Sequence, residues 1–202
     1  MNNTSADKGT DIDINIGTGT GFESSTDSGT GIDTISSYSL RSLPPLLRRL
    51  FTAFLITASI GFTLGTFFVN HTTEATPTGI AERFRGSESM GVDLDQLPAD
   101  REIQYEKSPS EMLNVTHTHI LALSLLFLAV GGIFSLATGM PPRIKSFLII
   151  EPFVSLILTF GGMWLVRYHN PAWGWMIGAS GVLMAGCFYI MVGVGVYQLT
   201  RR

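Results

Sequence analysis

Cysteine is nearly absent from this 202-residue chain: Cys187 stands alone. An intrachain disulfide framework and a four-cysteine metal site are therefore both excluded. Charge is scarce as well. Asp, Glu, Lys and Arg make up 14% of the residues, against about 25% in soluble domains. Hydrophobic residues reach 45%, and mean hydropathy is +0.30. That balance points to a chain that lives in lipid. A formal net charge of -3 leaves no basic surface for nucleic acid. The opening MNNTSADKGTDIDINIG has neither a basic n-region nor an apolar core, so it does not read as a signal peptide. HExxH, CxxCH and Walker patterns are missing, as is any Ser-His-Asp order, so no enzymatic reaction is assigned.

What is present is apolar length. Runs at about 50–70, 112–138, 144–168 and 173–199 each reach the roughly 20 residues that cross a bilayer. The expected fold is an all-α membrane protein: a four-transmembrane-helix bundle over residues 41–202, preceded by a disordered tail at 1–40. One long extracytoplasmic loop, 71–111, separates the first span from the second. The tail alternates Gly, Thr, Ser and Asp, as in GTGTGFESSTDSGTG, and buries too little apolar surface to offset the entropy of ordering. Its GTGTG run has no strand before it and no Gly-Lys-Thr/Ser signature, so it is not a phosphate loop.

The chain is organised around SPSEMLNVTHTHILALSLLFLAVGGIFSLAT, residues 108–138. Ser108 is placed to cap, Pro109 to take the first helical position and Glu111 to close a capping box. On the first span Thr52, Ser59, Thr63, Thr66 and Asn70 recur on one helical face, and Gly61 and Gly65 form a small-xxx-small pair. Such faces usually meet other helices. On the fourth span Gly174, Gly178, Gly181 and Ala185 read as a close-packing seam. GMPPR and HNPA make the tight connections between spans. The loop carries nine acids and four bases. Within it Thr78 is placed to cap a short helix, GIAERFRG, with Ile80 and Phe84 on one side. Turns are expected at Gly91 and Pro98.

Basic residues set the orientation. Arg41, Arg48, Arg49, Arg143, Lys145, Arg201 and Arg202 fall on one side if four helices alternate, whereas only Arg167 immediately flanks the other. The positive-inside rule then puts both termini in the cytoplasm. Trp164, Tyr168, Trp173 and Trp175 gather at the outer boundary as an aromatic belt.

All four histidines fall at the outer helix ends: His71, His117, His119 and His169. Histidine ligates haem iron, copper and zinc, and four-helix bundles hold cofactors between facing helices. His117 and His119 are about 200° apart on a helix, so only one faces the bundle. His117 shares a face with Ser124, Gly131 and Ser135 and is expected to point inward. His119 shares its face with bulky apolar residues. The competing explanation is an interfacial polar collar with no ligand. Glu151 lies about 10 Å inside the third span, from about 1.5 Å of rise per residue. It shares a face with Ser155, Gly162 and His169. Acids in hydrocarbon usually face the interior and mark proton or ion paths; the structural alternative is a neutral acid bonded to a neighbouring helix beside Pro152. Cys187 reads as an ordinary buried small residue.

PTGIAERFRG in the loop, KSPSEMLNVTHTHI and FLIIEPFVSLILTFGGMWLVRY together resemble a group of small bacterial inner-membrane proteins with four spans. The resemblance runs from about residue 48 to 202. It implies a multi-pass inner-membrane location, with the outer side periplasmic, and implies no reaction. Three functions follow as expectations. The first is a respiratory or redox-linked protein with a b-type haem or transition metal held by His117 with His71 or His169. The second is a non-catalytic accessory or assembly subunit of a larger membrane complex or homo-oligomer. The third is a small transporter or metal-handling protein using the histidines and Glu151 with Ser155.

Overall fold

The computed structural model describes residues 39–91 and 103–201. The tail reading for residues 1–38, the turn expected at Pro98 and the terminal Arg202 lie outside the described residues. Among the described residues all regular structure is helical. Five α-helices follow in order: α1 (Pro45–Thr73), α2 (Pro77–Arg85), α3 (Pro109–Ser135), α4 (Pro142–Tyr168) and α5 (Gly174–Thr200). Of these, α1, α3, α4 and α5 are long and apolar enough to cross a membrane, so the fold is an all-α bundle of four membrane-length helices.

Proline marks the starts. It holds an opening position in α1, α2, α3 and α4, where its fixed φ suits a helix and its missing N–H costs nothing. Helices α1 and α3 thus begin several residues before their apolar runs, and Arg48 and Arg49 lie inside α1. Ser108 and Glu111 form the capping box at the head of α3: the Ser108 N–H donates to Glu111 Oε2 at 2.8 Å and the Glu111 N–H to Ser108 Oγ at 3.3 Å. In the loop the cap is Thr76 rather than Thr78. The Gly79 N–H donates to Thr76 Oγ1 at 3.0 Å, because Pro77 occupies the first position and starts α2 two residues earlier than the periodicity suggests.

Phe127 of α3 and Phe188 of α5, both fully buried, form an aromatic hub. Phe62 of α1 stacks on Phe188 at 4.2 Å, and Phe153 of α4 meets Phe127 edge-on at 6.1 Å. One cluster therefore ties all four spans, each such pair adding about 0.5–1.5 kcal/mol beyond simple burial. Helices α4 and α5 pack most extensively. Buried residues on α5 recur at alternating three- and four-residue steps through Ile177, Ser180, Met184, Cys187 and Met191, the spacing of an antiparallel knobs-into-holes seam. Large apolar side chains such as Leu46, Leu64, Leu125 and Val182 stay more than half exposed. Spread around the bundle, they form the coat that lipid tails wet.

The packing is uneven. Only 6% of the apolar window of α1 is buried, against 28–44% for the other three spans. A Cβ built on Gly61 or Gly65 meets nothing within 4 Å, so within this chain the small pair faces no helix. The expected glycine seam on α5 also differs. A Cβ at Gly181 meets nothing within 4 Å, and one at Gly178 has only an ordinary contact with Ile80. Of these positions Gly174 alone is at close quarters: a Cβ there would lie 2.4 Å from the Pro77 carbonyl oxygen, and that partner is the loop helix α2, not a neighbouring span. Helical periodicity collects small residues on a stripe but does not say what lies opposite.

At the end of the bundle where α1 starts, the orphan carbonyls of α3 and α5 are capped by long-range donors. The Leu40 N–H donates to Leu136 O at 3.1 Å, Lys145 Nζ to Ala137 O at 2.8 Å, and Gln198 Nε2 to Thr138 O at 2.8 Å. Arg48 Nε donates to Leu199 O at 3.0 Å. Cations at helix C-termini also oppose the helix dipole favourably. Leu40, the last residue of the expected tail, is fully buried and tethered by this bond.

Candidate functional site

The polar chemistry inside the spans lies on the α4–α5 seam. Glu151 of α4 is 6% exposed and Ser155, one turn on, is 1% exposed. The Ser155 hydroxyl donates to Glu151 Oε1. Glu151 Oε2 has no hydrogen-bond partner among the described residues. Across the seam the buried Cys187 thiol stands close enough to interact with this carboxyl. One turn further along α4, Thr159 Oγ1 lies 2.7 Å from Ser180 Oγ of α5, and Ser180 also donates to Ile177 O at 3.2 Å. Pro152 follows Glu151 inside α4 and has no N–H for the preceding turn. The result is a polar line of buried Glu151, Ser155, Cys187 and Ser180 with half-buried Thr159, and one oxygen without a hydrogen-bond partner among the described residues. A carboxyl in such a place has two states, charged and neutral. The free oxygen is where a proton or small cation would distinguish them.

The histidines are elsewhere. His117, expected to point inward, is exposed. Gly131, on the face expected to be inward, is buried against Ile149 of α4, and Thr116 and the exposed His119 also meet α4. Trp164 Nε1 donates to Thr116 Oγ1 at 3.0 Å, and the His119 ring lies 5.4 Å from Phe160. His119 Nδ1 is 2.9 Å from Val115 O of its own helix. Further along α3 the buried face is made of Phe127, Val130, Ile133 and Phe134 together with Gly131. The small hydroxyl residue Ser135 is exposed and bonds to Gly132 O of its own turn at 2.7 Å. His71, in the last turn of α1, and His169, the C-cap of α4, are exposed too. His169 borders a shallow cavity of about 380 Å³ beside Asn170 and Trp173. Among the described residues no three His, Cys, Asp or Glu side chains are grouped to hold a metal ion, and no hydrogen bond or ring contact joins two histidines.

The loop between α1 and α3 holds an ordered cap built on the short helix expected at GIAERFRG. Ser87 Oγ donates to Glu82 Oε1 at 2.6 Å, both residues being buried, and the Gln104 N–H donates to Ser87 Oγ at 3.0 Å. Arg83 Nη1 reaches Gln104 Oε1 at 2.9 Å. Arg85 Nη1 donates to Val166 O at 3.2 Å and Arg167 Nε to Lys107 O at 2.8 Å. The cap is thus pinned to the end of α4 by two guanidinium groups. Gly86 sits at φ +88, and a Cβ there would come within 2.8 Å of the Glu106 nitrogen, so only glycine fits the turn. Charged residues at helical spacing within IAERFRG were the available signal. For Cys187, the signal was its place seven residues from Ser180 on one face of α5.

Neither a curated protein nor a solved structure matches the chain. A family model for a transmembrane helical domain, Aq_1264_TM, matches residues 74–202, covering α2 to α5 and leaving out α1. That match spans most of the sequence, and the chain belongs to this transmembrane helical domain family.

Proposed function

We propose that this multi-pass membrane protein is a small proton- or cation-handling protein whose bundle is built around Glu151. The observation that carries this reading is the buried Glu151 carboxyl, bonded through one oxygen to Ser155 and unpartnered at the other. An ionisable group inside a spanning helix is costly and is usually kept for an ion or proton step. The haem or transition-metal reading asks that His117 share an interior with His71 or His169, and the exposed positions of all three support it less than Glu151 supports an ion site. The proposed setting is a bacterial inner membrane with both termini cytoplasmic. It is favoured by the basic residues at the end where α1 begins, Arg41, Arg48, Arg49, Arg143 and Lys145. A second reading, an accessory or assembly subunit of a larger complex or homo-oligomer, is favoured by the thin burial of α1 and by the family match that begins after it.

Labelling by dicyclohexylcarbodiimide, which modifies neutral carboxyls in hydrocarbon, tests the leading reading. Full-length protein in liposomes is expected to carry an adduct at Glu151, located by mass spectrometry. The adduct should be absent from Glu151→Gln. No adduct at Glu151 overturns the reading.

A further inference from the structure

We infer that the groove between α1 and α3 is a binding site for one acyl chain of an anionic phospholipid, with the phosphate held by Arg41. Helix α1 packs chiefly on α5 and leaves an open cavity of about 470 Å³ against α3. Leu50, Phe51 and Phe54 of α1 line one wall, and Leu128, Gly132 and Leu136 of α3 line the other. The lining is wholly apolar, so no water or headgroup belongs along it. From Leu128 to Leu136 the groove runs about 12 Å at 1.5 Å per residue. That is most of one hydrocarbon leaflet, about 15 Å as half of a 30 Å core. A lipid tail matches that length and chemistry.

The polar end of the groove selects the headgroup. Leu136 closes the lining, and its carbonyl accepts the N–H of Leu40 at 3.1 Å, which fixes Arg41 beside the mouth. Arg41 is exposed and makes no hydrogen bond or ion pair among the described residues. Its neighbours differ: Arg48 is occupied on the carbonyl of Leu199 in α5 and Lys145 on that of Ala137, just past α3. Basic side chains at the mouth of a groove between spanning helices recognise acidic headgroups. Arg49 carries the same charge at the same level but, at about 100° per residue, lies on the far side of α1 from Leu50, Phe51 and Phe54. It supplies the control.

The test is native mass spectrometry of the full-length protein in detergent with added phosphatidylglycerol or phosphatidylcholine of matched chains. The wild type is expected to retain phosphatidylglycerol about fivefold better, the effect of one basic residue near a membrane surface. Arg41→Gln removes the preference and Arg49→Gln keeps it. Gly132→Leu, at a position where an added Cβ meets nothing within 4 Å, fills the groove and lowers retention of both lipids. If Gly132→Leu alters helicity by circular dichroism, Leu128→Trp replaces it, with quenching by brominated phosphatidylglycerol exceeding quenching by brominated phosphatidylcholine. Equal retention of the two lipids by the wild type overturns the inference. So does an equal loss in Arg41→Gln and Arg49→Gln, which marks surface charge alone. A dimer mass abolished by Gly132→Leu also overturns it and assigns the groove to a second copy of the chain.

Discussion

Gly174→Ala should loosen the cap formed by the loop between α1 and α3, while the same change seven residues along the same helix should not. Gly174 opens α5 with φ -56 and ψ -32, a conformation open to any residue, so the effect of alanine is purely steric. Its Cβ would lie 2.4 Å from the Pro77 carbonyl oxygen and 3.1 Å from the carbonyl carbon. Restoring an ordinary contact moves α2 outward by about 1 Å. Both obstructing atoms are backbone, so no side chain can rotate away. The displaced helix carries Ile80 and Ala81 out of the core and stretches the 3.2 Å bond from Arg85 to Val166 O. Overpacking of this kind costs about 1–3 kcal/mol. At Gly181 nothing lies within 4 Å of the added methyl, and removing a glycine from a helix interior favours the helix by up to about 1 kcal/mol. Limited proteolysis of the full-length protein in detergent, followed at residues 74–91, reads the first effect, and thermal loss of helicity reads the second. Equal protection of the cap in Gly174→Ala and wild type would refute the steric argument.

Two further outcomes test other joints. Gln198→Leu deletes the amide that donates to Thr138 O and accepts from the Thr138 N–H at 3.0 Å. Thr138 is exposed, so water replaces part of the loss, and a cost of about 1 kcal/mol should appear in thermal unfolding; an unchanged midpoint contradicts the capping role. His117→Ala should shift stability by no more than about 0.5 kcal/mol, as for an exposed side chain, whereas His119→Ala forfeits the ring contact with Phe160 and about 0.5–1 kcal/mol. A larger loss at His117, or a Soret band that vanishes with it, would reverse the assignment of faces on α3.

The contrast between these sites explains what could be read in advance. Length, apolarity and proline placement are local properties, so the four spans, the capping box at Ser108 and the turns at Gly139 and Pro171 are legible residue by residue. Which face of a span is buried is not. In water a helix announces its inner face by being apolar there and polar elsewhere. In lipid both faces are apolar, and association rests on packing and hydrogen bonds. The stripe of Leu123, Leu126, Val130 and Ile133 therefore looked as suited to lipid as to a core, and His117, expected to point inward, is exposed although Gly131 on its face is buried. For the same reason the Gly61–Gly65 pair pointed to a neighbour that this chain does not supply. Polar atoms in such a setting are the more informative ones, since each needs a partner. Gln198 and Glu82 are conspicuous as residue types in an apolar span and a short loop helix. The Gln198 amide is nevertheless satisfied by Thr138, 60 residues away, and sequence spacing does not encode that distance. Glu151 is the residue for which this logic is incomplete within the fold. Its burial follows from the cost of leaving a carboxyl in hydrocarbon, Ser155 answers one oxygen from the next turn, and the second has no hydrogen-bond partner among the described residues.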